Sequence, residues 1–397
     1  MTTKMHKVTI AALFVLSLGI FSSVSFSAVS HVLMFISGLY FTILAVKENN
    51  LKFGPSFYAL VMVVISIVLS VVFNLDIIDK PLKNIFKSKY FIIPLLGVSS
   101  FYYLVKSYSS EKLNKYYKNL ILLFIGITSL ATISGLIALY TGFNPVKLKG
   151  ACHESRACGL YGMYMTYGYG ISFFMTLNLG AILFKNKFKH LVNPNILYLS
   201  FLINFLGLYF SFERGAWLGF FGSIPFFFFF KSKKTFLLLI LAGLIGSAAT
   251  FTLSEKVRGI FTNRSESNDQ RIAFYQTAIV AFKESPLFGI GYRNFEPNVK
   301  KIKQENNIKY PEFGGHAHNN FLEHLASTGS FGVIALILFC LLWLYEAKSF
   351  PIVFAFIFNF LLSGQVQYTF GDGENLFLIM TVWLITSSFY KLHQEGK

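Results

Sequence analysis

Ser254-Glu-Lys-Val-Arg258 opens a long polar stretch between apolar runs, and Gly314-Gly-His316-Ala-His318-Asn319 leads to its close at Thr328. Four of the chain's six arginines fall inside it: Arg258, Arg264, Arg271 and Arg293. From His318 the pattern is His-Asn, nine residues, then Gly329-Ser-Phe-Gly332, where the next hydrophobic run begins. A cationic segment ending in histidine at an apolar boundary suits binding of a phosphorylated lipid beside a proton acceptor.

Around that stretch the 397-residue chain is 54% hydrophobic and 18% aromatic with only 13% charged residues. These values exclude disorder and are too apolar for an ordinary soluble protein. About twenty apolar residues cross a bilayer core, and about twelve such runs are present. Helices are the default, because open strands leave backbone groups unsatisfied in lipid. The expected fold is therefore an all-α polytopic integral membrane protein: transmembrane helices 1–9 in residues 1–253, a large outer loop at 254–328, and helices 10–12 in 329–397. The first run follows Lys4 and Lys7 and ends in Ser-Phe-Ser-Ala28, a signal-peptide pattern. A second run follows at once, which favours a retained anchor.

The formal charge of +17 must first be divided by membrane side, because cytoplasmic loops are enriched in Lys and Arg. With both termini inside, the inner segments carry Lys47 and Lys52, Lys106 to Lys118, Lys185 to Lys189, Lys231 to Lys234, Lys348 and Lys391. No RNA-binding signature or zinc-ligand spacing accompanies the charge, so nucleic acid is not a partner. Lys80, Lys83, Lys87 and Lys89 depart from the rule; Ile78, Leu82, Ile85 and Phe86 at helical spacing predict a helix lying on the outer surface there. All six arginines, including Arg156 and Arg214, fall outside, whereas every inner basic residue is lysine. Topology needs only charge; arginine adds a bidentate fork that matches phosphate oxygens. Cys152 and Cys158 share an outer loop and can pair if that compartment is oxidising, while Cys340 reads as a packing residue.

Glu213-Arg214-Gly215-Ala-Trp217-Leu-Gly219 forms a very short outer turn. Its Gly-x3-Gly spacing permits close helix packing that can aim Arg214 into a cavity, with Glu213 as a partner and Trp217 at the interface. Arg271 opens an amphipathic helix expected over 270–284, capped by Asn268 or Asp269, with Ile272, Tyr275, Ile279 and Phe282 on one face. That places Arg271 in the first turn, where free N–H groups also favour an anion. Phe288-Gly-Ile-Gly291-Tyr-Arg293 reads as a tight, weakly phosphate-loop-like turn. His316 and His318 lack companion metal ligands at a convincing spacing. Nearby arginines should hold His318 neutral at pH 7 and able to accept a proton.

Four motifs in order, Arg-Gly-Ala-Trp-Leu-Gly, Gln-Arg271-x3-Tyr, Pro-Leu-Phe-Gly-x-Gly-x2-Asn-Phe and His318-Asn319-x9-Gly329-x2-Gly332, resemble the O-antigen ligase and polymerase superfamily of bacterial inner membranes. They cover about the last half of the chain, and the likeness is greatest to the O-antigen ligases. The resemblance implies a C-class membrane glycosyltransferase-like fold with its active site facing the periplasm. It implies transfer of polysaccharide from undecaprenyl diphosphate to lipid A–core, inverting, without metal or other cofactor, with membrane lipids around the protein. It puts the catalytic residues at Arg214, Arg271 and His318, with Arg293, His316 and Asn319 supporting substrate binding. The residues fit that chemistry: arginines stabilise a departing diphosphate, and a histidine takes the acceptor's proton. Glu323 or Glu213 remains an alternative base. The rivals are an O-antigen polymerase, with the same donor, and a transporter, against which the nearly charge-free spans argue.

Overall fold

A computed structural model describes residues 1–253, 265–309 and 314–396. Arg258 and Arg264 of the cationic stretch lie outside the described residues. In chain order the helices are α1 (Thr2–Gly19), α2 (Val24–Lys47), α3 (Pro55–Val72), α4 (Pro81–Phe86), α5 (Lys89–Ser107), α6 (Ser110–Thr141), α7 (Tyr164–Leu183) and α8 (Lys185–Phe188). They continue as α9 (Pro194–Phe210), α10 (Arg214–Ser223), α11 (Lys233–Leu253), α12 (Ser265–Glu284), α13 (Phe295–Glu305), α14 (Asn320–Glu346), α15 (Pro351–Ser363) and α16 (Gly373–Glu395). One small antiparallel hairpin, Phe143–Asn144 with Lys149–Gly150, stands among them.

Six segments among the described residues are long and apolar enough to cross a bilayer: α2, α3, Pro81–Ser107, α6, Asn320–Ser349 and α16. That is fewer than the apolar runs suggested. Two of the remaining runs fall short in length: α15 has 13 residues and α10 only 10. At about 1.5 Å per residue, helices this short fall well below the about 30 Å of a hydrocarbon core. α10 gives way to a 3-10 turn at Ile224–Phe228, where Pro225 removes a backbone donor. The outward faces are apolar, as lipid requires; α2 exposes Val32, Phe35, Ile36, Leu39 and Ile43.

Small and polar residues hold the spans together. α3 packs along α14, burying Ser56, Ala59, Ser66 and Ser70 on one helix and Gly332 and Ala335 on the other. Such small side chains let the backbones approach closely. At one end the Glu346 carboxylate accepts from Ser56 N–H and Oγ–H, both at 2.7 Å, and so neutralises the open N-terminus of α3. The same end gathers Lys106 with Glu395 at 3.2 Å and Lys391 on the Asn50 carbonyl at 2.7 Å. Elsewhere Asn359 of α15 donates to Ser172 and Thr176 of α7, while Ser363 donates to its Oδ1 at 2.9 Å. Gly219 of α10 faces that network: a Cβ there would collide with Ser363 and Asn359. This is the close packing expected of the Gly215-x3-Gly219 spacing, and it anchors the helix that begins with Arg214.

The polar stretch builds a second, smaller core. Phe274, Ala278, Ala281, Phe295, Val299, Ile302 and Ala317 are buried together. α14 is interrupted where this core meets the membrane helices. Gly329 has φ 67° and ψ −165°, a conformation open essentially to glycine alone. The break frees the N–H groups of Ser330 and Phe331 to donate to the carbonyls of Pro286 and Leu287, at 2.8 and 3.3 Å.

Several local expectations need correction. The helix expected at 270–284 begins at Ser265, so Arg271 is its seventh residue and no free N-terminal N–H groups lie beside it. Neither Asn268 nor Asp269 caps it. Its buried face is Phe274, Ala278 and Ala281, whereas Ile272 and Ile279 are exposed; the apolar residues on both sides reflect contact with protein on one face only. The Gly289–Gly291 turn is no phosphate cradle: Gly289 presses on the Ser327–Thr328 backbone, and Asn74 donates to its carbonyl at 2.9 Å. A short helix, α4, does form among Lys80, Lys83, Lys87 and Lys89, with Leu82 and Phe86 exposed, but Ile78 is buried against Gly291.

Candidate functional site

Arg214 is the first residue of α10, just after a turn that Phe212 completes with φ 51°. Arg271 projects from α12. His318 closes the turn before α14 with φ 47°. Left-handed backbone at a non-glycine residue costs about 1–3 kcal/mol and persists where surrounding structure imposes it. These three side chains line one cavity of about 240 Å³, together with Arg156, Tyr164, Glu213 and Phe274.

The loop carrying Arg156 is held by a Cys152–Cys158 disulfide, with Cα atoms 6.3 Å apart. Ala157 N–H donates to the Phe210 carbonyl at 2.8 Å, which ties the loop to the end of α9. Arg156 then reaches Glu213 at 2.8 Å and lies 4.2 Å over the Tyr164 ring. Glu213 was expected to serve Arg214; its carboxylate instead pairs with Arg156. Arg214 Nη2 donates to Asn268 Oδ1 at 3.4 Å, drawing α12 toward α10. The cavity thus brings three arginines and one buried carboxylate to one wall, an arrangement that favours an anion.

His318 is fixed on two sides. Its Nδ1 lies 2.7 Å from Gln367 Oε1, and its ring is 5.6 Å from that of Phe274. An amide oxygen accepts, so Nδ1 carries the proton and Nε2 keeps the lone pair. Burial lowers the imidazole to about 4, helped by His316 and Arg271 and opposed by the Gln367 bond. Burial therefore outweighs the arginines that the sequence made the cause. The outcome is the same: His318 is neutral at pH 7.

His316 and Asn319 build the turn. The His318 N–H donates to His316 Nδ1 at 3.3 Å, and Glu323 accepts the Ala317 N–H at 2.7 Å. Asn319 caps α14 by accepting from Phe321 and Leu322 N–H at 2.9 and 3.0 Å, and it donates to the Gln365 carbonyl. Asn319, read as substrate-binding, is thus occupied by the cap and lies at neither cavity wall. Arg293 and His316 do not join the arginine cavity. They line an adjacent space of about 240 Å³ with Glu296, Glu323, Gln367 and Asp372. Among the described residues, no group of three His, Cys, Asp or Glu converges as a metal site.

Arg156 and Gln367 were missed as site residues. Arg156 had a signal, since the lysine pattern is read as placing all six arginines on one side. Gln367, in a loop 49 residues from His318 and matched by no motif, had none.

Residues 199–337 match a family model described as O-antigen ligase. The match spans Arg214, Arg271, Arg293 and His318, and stops short of Gln367 and Asp372. An uncharacterized protein of Haemophilus influenzae is 29% identical over 150 residues, 33% of this chain and 38% of that relative. The aligned part is thus well under half the length of the curated relative it matches. Over residues 199–337, about a third of its length, the chain is therefore similar to the O-antigen ligase family.

Proposed function

We propose that the protein is an O-antigen ligase of the bacterial inner membrane, with twelve spans, both termini cytoplasmic and its arginine cavity facing the periplasm. The donor is polysaccharide on undecaprenyl diphosphate, and the acceptor is a sugar hydroxyl of lipid A–core. The observation that carries this reading is the cavity in which Arg156, Arg214 and Arg271 meet a neutral His318.

The arginines hold the diphosphate. The acceptor oxygen attacks the anomeric carbon from the opposite face, which inverts it. As that C–O bond forms, the bond from the anomeric carbon to the diphosphate oxygen breaks, and its electron pair leaves on undecaprenyl diphosphate. Guanidinium groups stabilise the charge that develops there. The hydroxyl proton passes to His318 Nε2. A base whose conjugate acid titrates near 4 is weak, but the bound diphosphate favours the imidazolium and raises that value in the complex. No step calls for a metal.

Glu213 is less suited to the base role, because its carboxylate is engaged by Arg156. The lipopolysaccharide pattern of a deletion strain tests the function. A ligase leaves bare lipid A–core and carrier-linked polymer. Core capped by a single repeat would instead identify a polymerase, and precursor held on the cytoplasmic face a transporter.

A further inference from the structure

Two cavities of similar size lie side by side, and their chemistry differs. The arginine cavity holds Arg156, Arg214 and Arg271 against the single carboxylate of Glu213. Its neighbour reverses the balance, with Glu296, Glu323 and Asp372 against Arg293. Met165 lines both. The remaining partition is the His318–Gln367 pair, because Gln367 lines the acidic space and His318 the basic one. His316 also lines the acidic space, with its ring centroid 4.4 Å from that of His318.

A diphosphate is drawn to the three arginines, whereas next door it would meet Arg293 alone among three carboxyl groups. An uncharged, hydroxyl-rich sugar has the opposite fit. Carboxyl groups accept hydrogen bonds, and a buried one that keeps its proton also donates; sugar hydroxyls on adjacent carbons can do both. Tyr368, Met163 and Met165 add apolar surface for the C–H face of such a ring. Several of the polar groups are already braced: Arg293 Nη2 donates to the Gly371 carbonyl at 2.9 Å, and Asp372 accepts from Glu374 N–H at 3.2 Å. Little ordering is then left for binding to impose.

We infer that the Glu296–Glu323–Asp372 cavity is the acceptor subsite, taking an uncharged, hydroxyl-rich sugar whose nucleophilic hydroxyl passes the Met165 and Gln367 partition to His318. This rests on the transferase reading above and adds to it where the second substrate sits. It also gives Arg293 and His316, expected only to support substrate binding, to the acceptor's side.

The test uses full-length protein in detergent, with lipid A–core from the deletion strain as acceptor. Glu296 is exposed at the cavity mouth, so Glu296→Gln removes a charge without disturbing the core. Met163→Trp, at a residue 47% exposed, narrows the same mouth by bulk. Glu296→Gln should raise the acceptor KM about tenfold, the worth of one charge-assisted hydrogen bond, and Met163→Trp should raise it by obstruction, both with donor KM within about twofold of wild type. Unchanged acceptor KM in both variants, or a rise in donor KM alone, overturns the assignment. Direct binding of labelled lipid A–core is measured alongside. If wild type transfers nothing, the ligase reading fails, and binding then decides the subsite by itself: loss in both variants supports it, and retention overturns it.

Discussion

Gln367 Oε1 stands 2.7 Å from His318 Nδ1, and this bond joins the loop before α16 to the turn before α14. It selects the tautomer in which Nε2 is the base. Gln367→Leu removes that selection and should lower kcat about ten- to a hundredfold while donor binding holds, as losses of orienting groups beside histidine do. Gln367→Glu places a carboxylate against the ring, which favours imidazolium and raises its pKa. In wild type His318 is neutral above about 4, so its own contribution to kcat/KM should be flat from about pH 6 to 8 and fall only as pH drops toward that value. The acid limb should move to higher pH in Gln367→Glu. Identical profiles for both proteins would remove His318 as the titrating base.

His318 and His316 are neighbours with separate tasks, and substitution should part them. His318→Ala deletes the proposed base and should cost about 10²–10⁴-fold in transfer, with donor affinity retained. His316 supports the turn through the His318 N–H, so His316→Ala should keep substantially more activity. Arg271→Lys keeps a charge but loses the fork. A loss of about 1.5–3 kcal/mol, or tenfold and more in transfer, is expected together with weaker donor binding. Transfer and donor binding measured for the three variants, with membrane expression checked, decide among these roles. An active His318→Ala enzyme, or unchanged donor affinity in Arg271→Lys, would contradict the assignments.

The sequence made the helical class and the three converging side chains legible for local reasons. Arg214 sits beside glycines that force close packing, and His318 beside an asparagine that caps a helix. What stayed hidden was set by long-range pairing. Glu213 chooses Arg156 over its chain neighbour Arg214, across 57 positions. His316 and His318 are two residues apart yet line different cavities, because the left-handed backbone at His318 turns the chain between them. Polar residues 265–270 read as a cap region by propensity, yet the helix runs through them.

Cys152 and Cys158 flank Arg156, so their bridge restrains the loop that presents it. In native membranes neither cysteine should react with a thiol reagent until reductant is added, as for a disulfide in an oxidising compartment. Closing so short a loop contributes at most about 2–3 kcal/mol, so the double Ser variant should fold and retain transfer. Labelling of both residues without reductant would show them unpaired.

Gly329 offers the sharpest test of how the polar core is seated on the membrane helices. Its φ of 67° and ψ of −165° break α14 and expose two N–H groups to the Pro286–Leu287 carbonyls. A Cβ at Gly329 would strike the Leu287 backbone, and the conformation itself is closed to alanine. Gly329→Ala should therefore cost more than the about 1–3 kcal/mol of a strained residue alone, since the docking strand must also withdraw. The chain between α12 and α13 would then detach from α14, and Arg293 and the His318 turn would lose their common base. Gly126, with open space around it in α6, is the control: Gly126→Ala adds helix propensity and should leave melting unchanged or slightly raised. Thermal unfolding in detergent and limited proteolysis at 285–295 read the two variants. A Gly329→Ala protein as stable and as protease-resistant as wild type would mean that the break in α14 is not what holds the polar core in place.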